Sequence, residues 1–415
     1  MKKTFSNFIL HLGIPPSLLW GFVGILFFII GATIEQSWFS KMLFNMGYNA
    51  TIVSNIFVAY GIAVAISAWF AGAGAQIIGV RRLMIIGVFI YFIGSIPLIT
   101  VGISNKNTII IFITYMLRGA SYPLFAYSFL VWINYRSPKE YLARAMSWFW
   151  IAFGCGNTIF APYLSGILIS IISKTLIFYV GFVFVVIGSL FSLILNRDNG
   201  VILSNSSGTT NTKILINSIF VIFHNKRLGI SVVVKTINDI GKFSFVIIMP
   251  IYLSHFGFKT SEWISLWATA NVVNIFLNYI FGYIGDKLGW RKTVVYFGGT
   301  LCGIGSVCLW LMPVLFGKNM IALFLALTLY AIGLAAFGPL TALIPNLVSE
   351  EDQGSAISAL NLGSGLSNFV GPLIVSVFFK ISGTGGTLII IGIIYLTASL
   401  LAIFLKTPNE LKPTN

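Results

Sequence analysis

GYIGDKLGWRK, residues 282–292, sets an acid, three bases and three glycines in a short loop between two long apolar runs. GAGAQIIGVRR, residues 72–82, has the same frame 210 residues earlier. Gly72, Gly79, Arg81 and Arg82 stand opposite Gly282, Gly289, Arg291 and Lys292, and Pro162 stands opposite Pro372 at the same shift. Five coincidences at one offset exceed what chance gives even a Gly-rich chain and point to a duplicated unit. The loop has a physical logic. One glycine lets two helices approach closely, another makes the tight turn, and the basic pair anchors the loop on the inner face of a membrane. The first copy departs at one place, where Gln76 stands for Asp286.

Working outward from the two loops, the chain reads as twelve apolar runs, near 18–41, 52–76, 83–103, 108–134, 145–170, 175–195, 228–254, 262–285, 292–314, 319–345, 354–380 and 385–405. Each is long enough for a helix that crosses about 30 Å of hydrocarbon, which takes roughly 20 residues. Composition agrees. Of the 415 residues 57% are apolar and 8% charged, against about 25% charged in soluble proteins, which excludes a soluble globular chain. Mean hydropathy is +0.95. The expected fold is an all-α membrane protein with twelve transmembrane helices in two pseudo-symmetric six-helix bundles, 1–195 and 228–415. The interval 196–227 is a cytoplasmic linker, with a short apolar stretch, ILINSIFVIF, fit to lie flat at the interface.

A net charge of +15 would suggest nucleic acid in a soluble protein, but here it reports topology. With the N-terminus inside, sixteen of the 25 Lys and Arg fall in inner segments, six in outer ones and three within spans. Both termini are therefore expected in the cytoplasm, in a multi-pass protein of the cell membrane, and no nucleic-acid partner is expected. Lys2 and Lys3 precede an apolar run too long for a signal peptide, so the first span is expected to remain. Cys155, Cys302 and Cys308 sit in apolar runs without metal spacing and read as small packing residues.

Residues 282–292 resemble the loop after the second helix of each half in the major facilitator superfamily, with Gly72, Gln76, Gly79, Arg81, Gly282, Asp286, Gly289 and Arg291 as gating-loop positions. Within it, RGASYPLFAYSFLVW (118–132), MPIYLSHFGFKTSEW (249–263) and NLGSGLSNFVGP (361–372) resemble the polyol permeases that carry ribitol and D-arabinitol, over almost the whole chain. The resemblance implies proton-coupled uptake of a small sugar alcohol by alternating access, without an organic cofactor, in a monomer. It also implies that the first, fourth, seventh and tenth helices line a central cavity. The charges of the seventh run and the asparagines of the eighth depart from that pattern and point toward a different substrate.

Five ionisable residues lie within spans, Glu35, Arg118, Lys235, Asp239 and Lys242. Each costs about 2.5 to 3.5 kcal/mol at a helix centre, so they should face the bundle interior and pair. Lys235, Asp239 and Lys242 fall at i, i+4 and i+7 on one stripe of the seventh run. Such a stripe either neutralises itself for insertion or lines a watery cavity in which Asp239 exchanges protons and Lys242 orients substrate. If Asp239 binds Lys242, Lys235 stays free to snorkel. Glu35 and Arg118 have no charged partner one turn away, so they are expected to take partners from other helices and to pair with each other. Glu35 is then either a structural bridge or, with Asp239, a proton-coupling site.

Asn271, Asn274 and Asn278 share one face of the eighth run, and Asn361 and Asn368 one face of the eleventh. An amide donates and accepts, which suits the hydroxyls of a neutral ligand, although helix-to-helix hydrogen bonding is the plainer use of any one Asn. Asn238, Arg118 and Lys242 join them as substrate-binding candidates. Trp148, Trp150 and Trp267 offer flat surfaces to a carbon chain, with Trp148, Trp267 and Tyr122 as the cavity candidates, whereas Trp263 is expected as an interfacial anchor. No G-x-x-x-x-G-K-[ST] or H-E-x-x-H occurs, so ATP as direct driver, an intramembrane metalloenzyme and a bound metal are not expected. The expected partners are a small-molecule substrate, protons and the bilayer. A carboxylate such as 2-oxoglutarate is the rival cargo because the in-span charges sum to three positive against two negative, and a sugar is a further alternative.

Overall fold

The computed structural model describes residues 14–138, 142–196, 224–348 and 353–407. All regular structure among them is helical, as hydrocarbon demands of a chain whose backbone groups must be satisfied within each segment. The first six helices are α1 (Leu19–Thr33, resumed as Phe39–Asn45), α2 (Ala50–Ile77), α3 (Val80–Pro97 and a π-helical turn, Leu98–Ile103), α4 (Thr108–Arg136), α5 (Leu142–Gly154, a π-helical Cys155–Phe160, Ala161–Leu168) and α6 (Lys174–Leu193). The next six are α7 (Lys226–Ser254), α8 (Thr260–Leu288), α9 (Trp290–Thr293, a π-helical Val294–Gly298, Gly299–Phe316), α10 (Met320–Ala336 and Leu340–Leu343), α11 (353–382) and α12 (384–402). The last two form one run, Gln353–Ala402, broken at Gly383, whose φ of 63° and ψ of −167° only glycine adopts readily. Among the described residues nine helical runs are long and apolar enough to cross a bilayer, and the 41-residue run Leu362–Ala402, broken at Gly383, is long enough for two spans. Twelve helices thus stand where twelve apolar runs were read. The linker reading at 196–227 falls mostly on residues 197–223, outside the described residues.

The duplication is visible in the backbone. Gly79 (φ 94°, ψ 143°) and Gly289 (φ 97°, ψ 134°) take the same left-handed turn at the start of α3 and α9. Arg81 donates to the carbonyl of Leu193 at the end of α6, and Arg291 donates to that of Ile403 just past α12, at 3.3 Å. Leu193 and Ile403 are themselves 210 residues apart. The basic residues of the loops therefore close the C-terminal ends of α6 and α12, where helix carbonyls lack partners. Asn107, Asn225 and Asn319 cap α4, α7 and α10 by accepting two backbone N–H groups each.

The chain divides into two compact units, Met1–Ser37 with Ile62–Thr212, and Trp38–Gly61 with Lys213–Asn415. In the first unit α1 lies on α6 at Gly31, where a Cβ would come within 2.4 Å of the Gly181 carbonyl; only glycine permits that approach. The second unit takes in 38–61, the end of α1 and the start of α2. Ser40 donates to the Val246 carbonyl at 2.8 Å, Lys41 Nζ donates to Ser254 Oγ at 2.6 Å, and Ser376 donates to Asn55.

Helix α1 departs from the single span read at 18–41. It breaks after Thr33, whose hydroxyl returns to the Ile29 carbonyl at 2.8 Å, and the chain tightens into a turn in which the Gln36 N–H donates to Thr33 O at 3.0 Å. A hydroxyl bonded back to the preceding turn bends helices. Glu35 sits in that break.

Candidate functional site

Among the described residues, each unit holds one cluster of ions at a helix crossing or on a helix stripe within the bundle, and the two are built differently. In the first unit, Glu35 from the break in α1 meets Arg118 from the middle of α4, Oε2 to Nη2 at 2.8 Å, with side-chain exposures of 0% and 1%. Gly94 of α3 makes room for the arginine, since a Cβ there would lie 3.0 Å from Arg118 Cγ. The guanidinium lies over the rings of Tyr91 and Phe178, at 4.9 and 5.5 Å, and Nη2 also reaches the Ala32 carbonyl at 3.4 Å. Tyr91 in turn donates to the Gly31 carbonyl at 3.1 Å. The expected pairing of Glu35 with Arg118 is thus present, with two aromatic faces added by α3 and α6. Glu35 Oε1 has no hydrogen-bond partner among the described residues.

In the second unit one aspartate serves two lysines. Asp239 Oδ2 lies 3.0 Å from Lys235 Nζ, and Oδ1 lies 2.7 Å from Lys242 Nζ, all on one stripe of α7. The expectation that Lys235 stays free to snorkel is corrected, because Asp239 has two oxygens and the helical spacing brings one lysine to each. The side chains of Lys235 and Asp239 are 13% and 11% exposed, and that of Lys242 is 31%. This cluster keeps a surplus positive charge and an opening, whereas the first is neutral and closed. Next to it, Asn238 is buried, and its Oδ1 has no hydrogen-bond partner among the described residues.

The asparagines spend one amide hydrogen each on the helix backbone. Asn271 donates to Trp267 O at 2.8 Å, Asn368 to Ser364 O at 3.1 Å and Asn278 to Asn274 O at 2.8 Å. Asn274 crosses from α8 to α10 and donates to Ala331 O at 2.9 Å, the helix-joining use of such a residue. Tyr122 is buried against Phe153 and Tyr127, and Trp148 is more than one third exposed. Trp267 is buried and stacks on Trp263 at 5.6 Å. Trp263 is itself fully buried, which corrects its reading as an interfacial anchor; a ring stacked on Trp267 inside the bundle has no face left for lipid headgroups. The side chains of Gln76, Asp286 and Asn361 lie outside the described residues, and so does the surrounding of Gly72.

Sequence reasoning missed the tyrosines. Tyr91 beneath Arg118, and Tyr330 with Tyr395 beneath α7, sit in apolar runs without polar neighbours to mark them. Among the described residues no group of three or more His, Cys, Asp or Glu is placed to hold a metal ion.

Comparison with known proteins decides what such a fold belongs to. The family model described as Major Facilitator Superfamily matches residues 18–333 and 232–415. This chain belongs to the major facilitator superfamily. It is 38% identical to the alpha-ketoglutarate permease of Bacillus subtilis (strain 168) over 98% of its own length and 93% of the relative's. It is 31% identical to the D-arabinitol transporter of Klebsiella pneumoniae (95% and 93% covered) and to the ribitol transporter of the same organism (93% and 91%). The fold matches the crystal structure of a D-xylose-proton symporter with a TM-score of 0.72 at 14% identity, over 94% of this chain and 97% of that one. The superfamily chain is a multi-pass membrane transporter of the secondary type, and both polyol and oxo-acid carriers stand among its relatives.

Proposed function

We propose that this transporter takes up a small carboxylate anion of the 2-oxoglutarate class together with protons, by alternating access across the cell membrane. The observation that carries the reading is the α7 cluster, in which one aspartate faces two lysines and Lys242 remains partly exposed. A surplus cation held at the edge of low-dielectric protein attracts a carboxylate far more strongly than it attracts a hydroxyl. The relative named an alpha-ketoglutarate permease, at 38% identity, supports the same class. In this reading Lys242 orients the anion, Asp239 releases a lysine to it, and Asn238 lies beside the site with its Oδ1 as an acceptor that favours the lysines rather than the anion. Asn271, Asn368 and Trp267 form the flanking surface.

Glu35 is the coupling site. Its charge is tolerable in the bundle only while Arg118 stays within reach, so any movement that parts them favours protonation of the carboxylate. Replacing Glu35 by Gln is expected to abolish accumulation of substrate against its gradient while leaving exchange across the membrane. Unchanged proton-driven accumulation in that variant would remove Glu35 from the role.

The sugar-alcohol reading comes second, favoured by the relatives named D-arabinitol and ribitol transporters. Against it, each of the amides of α8 and α11 that would read hydroxyls has one of its two N–H donors committed to a backbone carbonyl. Uptake into proteoliposomes of 2-oxoglutarate, ribitol, arabinitol and xylitol under an imposed pH gradient separates the two. Saturable, gradient-dependent uptake of the oxo-acid is expected, and uptake of a polyol alone refutes the anion reading.

A further inference from the structure

Beneath the α7 cluster lies a chain of hydroxyls that the transport reading does not use. The Tyr395 hydroxyl, on α12, accepts from the Gly241 N–H at 3.0 Å and donates to the Asn238 carbonyl at 3.1 Å. Those two backbone groups flank Asp239. A phenol has one proton. With that proton given to Asn238 O, the 2.9 Å contact between Tyr330 and Tyr395 must have Tyr330, on α10, as its donor. Both oxygens of the relay reach the helix because residue 241 is glycine; a Cβ there would stand 2.5 Å from the Tyr330 oxygen and 2.7 Å from that of Tyr395.

The rings cannot easily swing away. Tyr330 and Tyr395 are buried, and Tyr330 lies against Phe245 of α7 at 4.9 Å, which contacts Trp267 of α8 at 6.4 Å. One hydroxyl that holds both an N–H and a C=O of a helix competes with the helix's own ladder, and groups inserted in this way bend helices and set their local rotation. The turn so held runs from Asn238 to Gly241; Asp239 lies within it and Lys242 follows it directly.

We propose that Tyr395, backed by Tyr330, is a positioning residue that sets the turn of α7 between Asp239 and Lys242 and so determines how Lys242 is presented to substrate. The inference rests on the reading that the α7 cluster binds the transported anion. Without the Tyr395 hydroxyl the turn loses the two bonds from outside α7 that fix its rotation, and Lys242 changes its angle to Asp239.

The test is uptake of 2-oxoglutarate by reconstituted wild type, Tyr395→Phe, Tyr330→Phe and Asp239→Asn, each with thermal unfolding measured in detergent. Tyr395→Phe is expected to raise KM about tenfold, the scale of one lost buried hydrogen bond, with Vmax and the unfolding temperature near those of wild type. Tyr330→Phe, which removes only the donor to Tyr395, is expected to raise KM about threefold, and it serves alone if Tyr395→Phe fails to reach the membrane. A wild-type KM in both tyrosine variants, or a loss in which Vmax and unfolding temperature fall together at constant KM, overturns the proposal. A wild-type KM in Asp239→Asn refutes instead the reading of the cluster as the binding site, which separates the two failures.

Discussion

The two units answer one design with different chemistry. At the shift of 210 that relates the loops, Glu35 corresponds to Phe245, and at the shift of 212 that relates the helix caps Asn107 and Asn319, Arg118 corresponds to Tyr330. Glu35 touches Arg118 in the first unit, and Phe245 packs on Tyr330 in the second. The same crossing of helices is closed by an ion pair in one half and by two aromatic rings in the other. The ionic load of the second unit is moved along α7 to Lys235, Asp239 and Lys242, where the side chains are partly open. The difference teaches that duplication preserved the packing frame while the charges were free to diverge. In the function proposed above, the sealed pair is the switch and the half-open triad, with its spare cation, receives the ligand.

The sharpest way to break that comparison is to strand the sealed charge. Arg118→Leu leaves Glu35 fully buried without its counter-ion, and a loss of about 3–5 kcal/mol is expected, read as a fall in unfolding temperature and loss of reconstituted protein. The double variant Glu35→Leu with Arg118→Leu is expected to regain most of that stability, because two apolar side chains replace a desolvated pair, yet to carry no proton-driven uptake. Equal instability of single and double variants would mean that the pair is not the reason for the loss.

In the open cluster the same operation should cost less. Asp239→Asn leaves two lysines of which one is already a third exposed, and water screens what the carboxylate no longer neutralises. A loss of about 1–2 kcal/mol is expected there, with the KM for 2-oxoglutarate raised and uptake still measurable. A destabilisation as large as that of Arg118→Leu would erase the distinction between sealed and open. Asn274→Ala sharpens it further. Removal of its bond to Ala331 O is expected to cost about 0.6–2 kcal/mol, with substrate affinity retained; a change in affinity at wild-type stability would return Asn274 to the ligand.

The smallest effect tests the frame itself. Arg81→Gln and Arg291→Gln each remove a charged donor from the carbonyls that end α6 and α12, which is expected to cost about 0.3–1 kcal/mol apiece, nearly equal in the two halves. A tenfold disparity in equilibrium between the two would show that the repeats have lost their equivalence at the loops.

Much of this was legible in the residues alone. Apolar run lengths placed the helices to within a few residues, since a helix in lipid must be long, apolar and self-satisfied. The i, i+4, i+7 spacing on α7 brought Asp239 to its lysines, because side chains three or four apart share a face whatever the rest of the protein does. The expected pairing of Glu35 with Arg118 followed from the expense of leaving either alone in lipid. The bend of α1 at Glu35, the burial of Trp263 and the tyrosine relay under Gly241 were not legible, for they depend on which neighbour arrives at a given crossing, and no periodicity encodes that.

By itself, then, the sequence determined the solvent, the twelve spans, the duplication and the local ion ladder of α7, all of which arise from solvation and helical geometry within a segment. Only the tertiary structure decided that one cluster is closed and the other ajar, that Asp239 is shared by two lysines at once, and that a phenol from α12 holds the turn beside it. Those are matters of distance between helices remote in the chain, and distance is set by packing.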